Sequence, residues 1–260
     1  MYKRVLAVMA VTLLVALYFN LYMKDADQGD PWRGISLQDK LTIEETRWLE
    51  STPAIRIGFS EELMPFIQEQ GDSAVGLLKD YVEIILEPLG VEIQYILVDR
   101  EQGIGMLAEG GLDGLLVVSA GSPEKGQSYS APLIPTKGRL FLRELPEQTG
   151  KTELMGKAIL AFTPEDMTIQ GVNLAQHNEI IKISSMEEAE ALLKGGEADG
   201  IAGNEAAIWS LIKKGALEEE YTAFPGYLFE RNVVIQTLEG TAPSGILQTA
   251  AYYIDRNRLL

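Results

Sequence analysis

Apolar positions divide the chain into one long run and a series of short periodic ones. The long run is Val5–Met23, 19 residues broken only by Thr12 and Asn20. A helix needs ~20 such residues to cross a bilayer. Lys3 and Arg4 precede the run, and Asp25, Asp27 and Asp30 follow it. That asymmetry places the N-terminus inside and the rest outside. A cleaved signal peptide is the rival reading, but "LYFNLYMKD" offers bulky or charged residues where cleavage needs small ones. The expectation is an uncleaved transmembrane anchor over residues 1–24. Gly29, Asp30, Pro31 and Gly34 then discourage regular structure and read as a linker.

The short runs alternate between two periods. "LTIEETRWLESTP" predicts a leader helix with Thr42 as cap and Glu45 at capping-box spacing, stopped by Pro53. "AIRIGF" is a strand. "AVGLLKDYVEIILEPLG" is a helix, with Leu77, Leu78, Tyr81, Val82, Ile84 and Ile85 near the 3.6-residue period and Gly90 past its end. "VEIQYILV" alternates as a strand, "GIGMLAEGGL" is a short helix, and "DGLLVVS" is a buried strand. After "YSAPLIPTKGRLFLRE" the pattern restarts. "KAILAF", "IIKIS" and "DGIAG" are strands. "TPEDMTIQGVNLAQ" is expected to begin a helix, and "SMEEAEALLKGG", capped by Ser184 or Ser185, and "NEAAIWSLIKKG" are helices. "GYLFERNVVIQTL" returns as a strand and "APSGILQTAAYYIDRNRLL" closes as a helix.

The halves echo each other. "MLAEGGLDGLLVVS" and "LLKGGEADGIAGN" both read helix, glycine pair, Asp-Gly, apolar strand. A repeated α/β unit with two chain crossings implies two lobes and a cleft, where ligands of such sheets bind. The expected division is an anchor (1–24), a linker and leader helix (25–53), lobe 1 (54–133), hinge and lobe 2 (134–228), and a return to lobe 1 (229–260). "YSAPLIPTKG" and "FPGYLFE" are the expected hinge strands.

Composition narrows the chemistry. With no cysteine, disulfides, thiolate zinc sites, a cysteine nucleophile and lipoprotein anchoring are excluded. His177 is the only histidine, and it sits in the polar stretch "LAQHNEI", so no multi-histidine metal site or conventional triad is expected. "GIG" at 103–105 lacks the third glycine and context of a nucleotide fingerprint. Three of the 22 basic residues and none of the 38 acidic ones precede Asp25, leaving 19 against 38, a formal charge of −19. Such a surface opposes nucleic acid and anionic lipid. No cofactor is implied.

Four blocks then resemble a known family. "IRIGFSEELMPFIQEQGDSAVGLLKDYVEIILEPLG" is similar to the opening of the family 3 bacterial solute-binding proteins, with Gly58, Ser60, Pro65-Phe66, Gly76, Asp80 and Leu89-Gly90 at its marked places. "LDGLLVVSAGSPEKGQSYSAPL" resembles the block that runs an Asp-led strand into a Thr-x-x-Arg corner. "GKAILAFTPED" and "ALLKGGEADGIAGNEAAI" resemble the second-lobe blocks. The leader "Leu-Thr-x-Glu-Glu-x-x-Trp-Leu" is similar to helices before the flytrap domains of membrane-bound histidine kinases and diguanylate cyclases. The resemblance implies an α/β, two-lobed, type II flytrap behind a transmembrane helix. It implies a small-molecule ligand and, since no kinase or cyclase part is visible, either a separate signalling or transporter membrane protein as partner or a truncated relative of a longer sensor. A transport receptor is the first alternative and a flytrap-fold dehydratase the second.

The family holds an amino acid with an arginine fork for the carboxylate, nearby hydroxyls, an aspartate for the ammonium and an aromatic cover. Carried over, Ser122 takes the threonine place and Lys125 the arginine place, keeping charge but losing the bidentate fork. Val118 and Ala120 replace serines, Leu63 replaces the aromatic, and Asn204 replaces the aspartate, where it also suits a helix cap. Ser60, Phe66, Glu165 and Asp166 complete the implied site. Glu61 and Glu62 stand at the cleft edge, read chiefly as surface carboxylates. These departures leave two readings: a ligand other than a standard α-amino acid held in the usual way, or a cleft that has lost ligand binding and signals by other means.

Overall fold

The computed structural model describes residues 36–71, 73–119, 121–143, 154–162 and 167–257. The expected anchor and most of the linker lie outside them. Among the described residues no helix is long and apolar enough to cross a membrane.

The leader helix α1 (Ile43–Ser51) starts as expected. Thr42 Oγ1 accepts from Glu45 N at 3.2 Å, and Glu45 Oε2 accepts from Thr42 N at 2.7 Å. That box satisfies two of the otherwise unpaired N–H groups at the helix start. Lobe 1 continues with β1 (Ala54–Phe59), α2 (Leu77–Leu86), β2 (Glu92–Leu97), α3 (Arg100–Ala108) and β3 (Gly114–Val118). Then come β4 (Ile134–Leu142), β5 (Ala158–Ala161), β6 (Glu179–Lys182), α4 (Met186–Gly195), β7 (Gly200–Asn204), α5 (Glu205–Gly215), β8 (Phe229–Leu238) and α6 (Ala242–Asn257). The α1 helix docks on α6. A Cβ at Gly245 would lie 1.8 Å from Glu45 Oε1, and the capping box holds that carboxylate in place, so this approach requires glycine.

One sheet joins the halves, in the order β6-β5-β7-β4-β8-β3-β1-β2, with Gln127–Tyr129 added to β8 and Thr222–Ala223 to β4. Neighbours are parallel within β6-β5-β7 and within β3-β1-β2, and antiparallel around β4 and β8. The β3 strand is buried on both faces, which is why it reads as an unbroken apolar run. Leu116 and Val118 pack with Ile57, Val82 and Leu247 on one side, and Leu115 and Val117 with Val98 and Leu107 on the other. The β4 strand does the same in lobe 2: Phe141 packs with Leu160 and Ile208, while Leu140 and Leu142 pack with Ile159 and Phe224.

The Asp-Gly repeat has one physical role in both lobes. Asp113 N donates to Arg56 O at 2.9 Å, and Arg56 N donates back to Asp113 Oδ2 at 2.8 Å. Asp199 N donates to Ala158 O at 2.8 Å, and Ala158 N donates back to Asp199 Oδ2 at 2.8 Å. Each aspartate thus seats its strand against the neighbouring one. The following glycine has no room for a side chain: a Cβ at Gly200 would meet Phe141 O at 2.5 Å. Asp113 is buried and also takes the Arg56 guanidinium at 2.9 and 3.0 Å, whereas Asp199 is exposed.

Three expectations change. "TIQGVNLAQ" is not the start of a helix but a two-strand hairpin, Thr168–Ile169 with Val172–Asn173, followed by one turn at Leu174–His177. Gln170 and Gly171 both take positive φ (49° and 77°), as a two-residue type I′ hairpin turn demands. In α2, Leu77 and Ile84 are 58% and 42% exposed, and the buried face is Leu78, Val82, Ile85 and Leu86. The second crossing segment begins at Phe229, because Phe224 N and Leu228 N still bond to β4 inside lobe 2, at Leu140 O and Gly138 O.

Replacing Asp113 by Ala removes a buried acceptor of three N–H bonds. With Arg56 partly solvated, the expected cost is about 2–3 kcal/mol. Asp199→Ala, at an exposed site, is expected to cost less than about 1 kcal/mol. Urea unfolding of the two variants checks the difference in midpoint.

Candidate functional site

The carboxyl ends of β1, β5, β6 and β7 and the N-termini of α3 and α4 meet where β4 and β8 cross between the halves. Between the lobes lies a cavity of about 730 Å³, a size that suits a small-molecule ligand. Lobe 1 supplies Ser60, Glu61, Glu62, residues 97–102 and Glu124. Lobe 2 supplies Phe162, residues 182–184 and Glu188, and β8 supplies Arg231. The lining carries six carboxylates (Glu61, Glu62, Asp99, Glu101, Glu124, Glu188) against three cations (Arg100, Lys182, Arg231).

Local rules position many of these groups. Asp99 Oδ1 caps α3 through Gln102 N at 2.8 Å. Ser185 Oγ caps α4 through Glu188 N at 3.1 Å. The Glu188 carboxylate reaches back to Ser184 N at 2.8 Å and Ser184 Oγ at 2.9 Å. Those bonds, the backbone one first, hold its pKa below the ordinary carboxylate range. Polar contacts cross the cleft. Glu61 Oε2 accepts from Met186 N at 2.5 Å, at the positive end of α4. Lys182 Nζ is paired with Glu101.

Deeper in, a recess of about 30 Å³ is bounded by Val118, Phe162, Met167, Gly203, Phe229 and Arg231 among others. Phe229 lies across β4: a Cβ at Gly138 would stand 2.3 Å from its ring. The Arg231 guanidinium lies over the Phe229 ring at 5.1 Å.

A second cavity, of about 680 Å³, shares only Arg231 with the first. Phe66, Trp209, Asn204, Thr136, Lys137 and Glu230 help line it. Asn204 is 2% exposed, and its Oδ1 caps α5 by accepting from Ala206 N at 3.0 Å. Among the described residues its Nδ2 has no hydrogen-bond partner. An unmet buried donor of this kind costs about 1–3 kcal/mol.

The sequence-derived residues therefore scatter. Ser60 lines the large cavity, Val118 the deep recess, and Phe66 and Asn204 the second cavity. Leu63 is buried in the lobe 1 core at 1% exposure. Ser122 and Lys125 are exposed and line none of the three spaces. Ala120, Glu165 and Asp166 lie outside the described residues. Glu61 and Glu62, read as surface carboxylates, are half-buried in the cleft. Arg100, Phe162, Phe229 and Arg231 were missed. Arg100 follows an evident helix cap, Asp99, which was the available signal. Arg231 gives none, because its side of β8 depends on register. Among the described residues no cluster of His, Cys, Asp or Glu could hold a metal ion.

No protein-family model and no curated protein sequence matches the chain. Solved structures do match. An arginine-bound ArgBP mutant from T. maritima has a TM-score of 0.67 at 16% identity, over 80% of this chain and 99% of that one. The periplasmic VFT2 domain of Bordetella pertussis BvgS has a TM-score of 0.63 at 17% identity, over 82% and 92%. A histidine-bound substrate-binding protein of an ABC uptake transporter from Streptococcus pneumoniae has a TM-score of 0.66 at 16% identity, over 82% and 92%. The chain has the two-lobed flytrap fold of these solute-binding and sensor domains, as its resemblance to family 3 implied.

The Glu61 contact has a local readout. Glu61→Ala leaves Met186 N without its partner across the cleft. Hydrogen exchange at that amide is expected to quicken at least tenfold, with the amides of β1 and β5 unchanged. An unaltered rate would show that the two lobes do not rest on this bond.

Proposed function

We propose that the protein is a membrane-tethered extracytoplasmic solute-binding or sensor domain that closes on a small polar ligand. The observation that carries this reading is the place of Arg231. It stands on a crossing strand and borders all three spaces, of which the largest is lined from both lobes, so a ligand held there sits at the hinge between them. The corner that holds an amino-acid carboxylate in the resembling family is here exposed at Ser122 and Lys125. The ligand is therefore gripped differently from a standard α-amino acid. Carboxylates outnumber cations in the large cavity, which favours a ligand bearing an amine. Such a group gains most where water is displaced and the charge partner is fixed.

The sensor reading draws support from α1. It links the N-terminal segment to α6 on lobe 1, so the tether would bear on a folded lobe rather than on a loose linker. Membrane attachment would come from residues 1–24, with the domain outside. A mature N-terminus near residue 25 in exported protein would refute that attachment. The solved neighbours are binding and sensor proteins, and binding without catalysis is the function proposed here.

A thermal-shift screen of amines, amino acids, carboxylates and short peptides tests the binding reading. Any ligand of the folded state stabilises it by mass action, by about 2.7 kcal/mol at a hundredfold excess over Kd. Compounds that bear both an amine for the carboxylates and a carbonyl or carboxylate oxygen for Arg231 are expected to raise Tm, and Arg231→Gln is expected to weaken those at least tenfold. No shift with any compound would sink the proposal.

A further inference from the structure

Charge is unevenly spread through the large cavity. Glu62, Arg100, Phe162 and Arg231 line it and also bound the deep recess of about 30 Å³, so the recess is its floor. Two cations, Arg100 and Arg231, and one carboxylate, Glu62, border that floor, which leaves it net positive. The rest of the lining carries five carboxylates against Lys182 alone. Four of the five, Asp99, Glu101, Glu124 and Glu188, are exposed. The cavity thus has a cationic floor and an acidic mouth.

Arg100 is a cation placed against its own stability. It is the first residue of α3, directly after the cap Asp99, where the helix dipole disfavours positive charge. It is half-buried, and among the described residues its guanidinium makes no hydrogen bond or ion pair. It follows the end of β2 by three residues, whereas Arg231 stands on β8, three strands away in the sheet. That separation is about 14 Å at the usual strand spacing. Two residues so placed bound one small recess by extending their side chains toward it. Val118, Phe162, Met167 and Phe229 supply apolar walls, and an ion pair is stronger in such surroundings than in water.

We propose that Arg100 and Arg231 together form the anion grip of the large cavity and that its ligand is an ω-amino carboxylate, a ligand class that rests on the binding function proposed above. The carboxylate enters the recess and accepts from the guanidinium of Arg100, which supplies the charge-assisted bonds that the exposed corner at Ser122 and Lys125 does not. The ammonium, carried at the far end of a chain, lies among the carboxylates of the mouth. An α-amino acid bears both charges on one carbon. A recess of about 30 Å³ admits one of those groups and leaves the other short of the mouth.

The probe is 5-aminovalerate, titrated calorimetrically into the full-length protein in detergent. Its comparators are L-norvaline, an isomer with the amine on the α-carbon, pentylamine, which lacks the carboxylate, and pentanoate, which lacks the amine. In the wild type 5-aminovalerate is expected to bind at least tenfold more tightly than any of the three. Arg100→Gln is expected to lower its affinity to that of pentylamine, with Tm held and pentylamine binding both proteins alike. A merely structural role for Arg100 would weaken both compounds together. If Arg100→Gln does not fold, Arg100→Lys, which keeps the charge and loses the fork, decides by the same comparison. Binding of 5-aminovalerate no tighter than that of L-norvaline, equal affinity in the variant and the wild type, or no binding of 5-aminovalerate at all would each overturn this grip. The binding function itself would still stand in those cases if another compound of the thermal-shift screen raised Tm, and would fall with the grip if none did.

Discussion

The antiparallel pairing of β4 with β8 is the constraint on which everything else rests. Residues 134–138 pair with 229–233 in five register positions. Beyond them β4 pairs with β7 in lobe 2, and β8 pairs with β3 in lobe 1. The two lobes thus share one hydrogen-bonded ribbon at their waist. A two-stranded ribbon can twist and bend, but it does not slide, because a slip of one residue turns every side chain to the opposite face. Lobe motion is therefore reduced to a hinge. Arg231, Phe229 and Thr136 sit on that hinge, so the geometry of the cleft and the angle of the lobes are one variable.

Around the waist, each lobe is closed by the same local device. A reciprocal pair of bonds, Asp113 with Arg56 and Asp199 with Ala158, ties the strand after the glycine turn to the strand beside it. The cleft surfaces are then populated by helix starts. The carboxylates of Asp99 and Glu188 act as local caps, while Glu61 caps α4 from the opposite lobe. Helix ends favour these charges electrostatically. The cleft is acidic partly because two helices start in it.

Most of the fold was legible because it depends on short-range rules. The Thr42–Glu45 capping box, the apolar β3 run and the doubled Asp-Gly unit each follow from spacing, and each is present. The hairpin at Thr168–Asn173 was misread because each arm of "TIQGVN" has only two residues, one of them apolar, too few to show a period. The turn pair Gln170-Gly171 was the better signal. The candidate site was legible in place but not in membership. Ser60, Val118, Phe66 and Asn204 all reach spaces at the waist, yet Ser122 and Lys125 point away from the role the resemblance gave them. The missing members, Arg231 above all, owe their position to the pairing of strands far apart in the chain. No window of local sequence carries that information.

The central claim is that the lobes close about the β4–β8 waist on a ligand held near Arg231. The α3 and α4 helices face each other across the large cavity, and the chain has no native cysteine. Spin labels at Glu109→Cys and Ala191→Cys, both exposed, therefore report the opening directly. Inter-label distances are to be measured by double electron–electron resonance with and without a compound that raises Tm. The account expects the distribution to narrow and shift to shorter distance with ligand, and to shift less in the Arg231→Gln background. An identical distribution with and without every stabilising compound would contradict it.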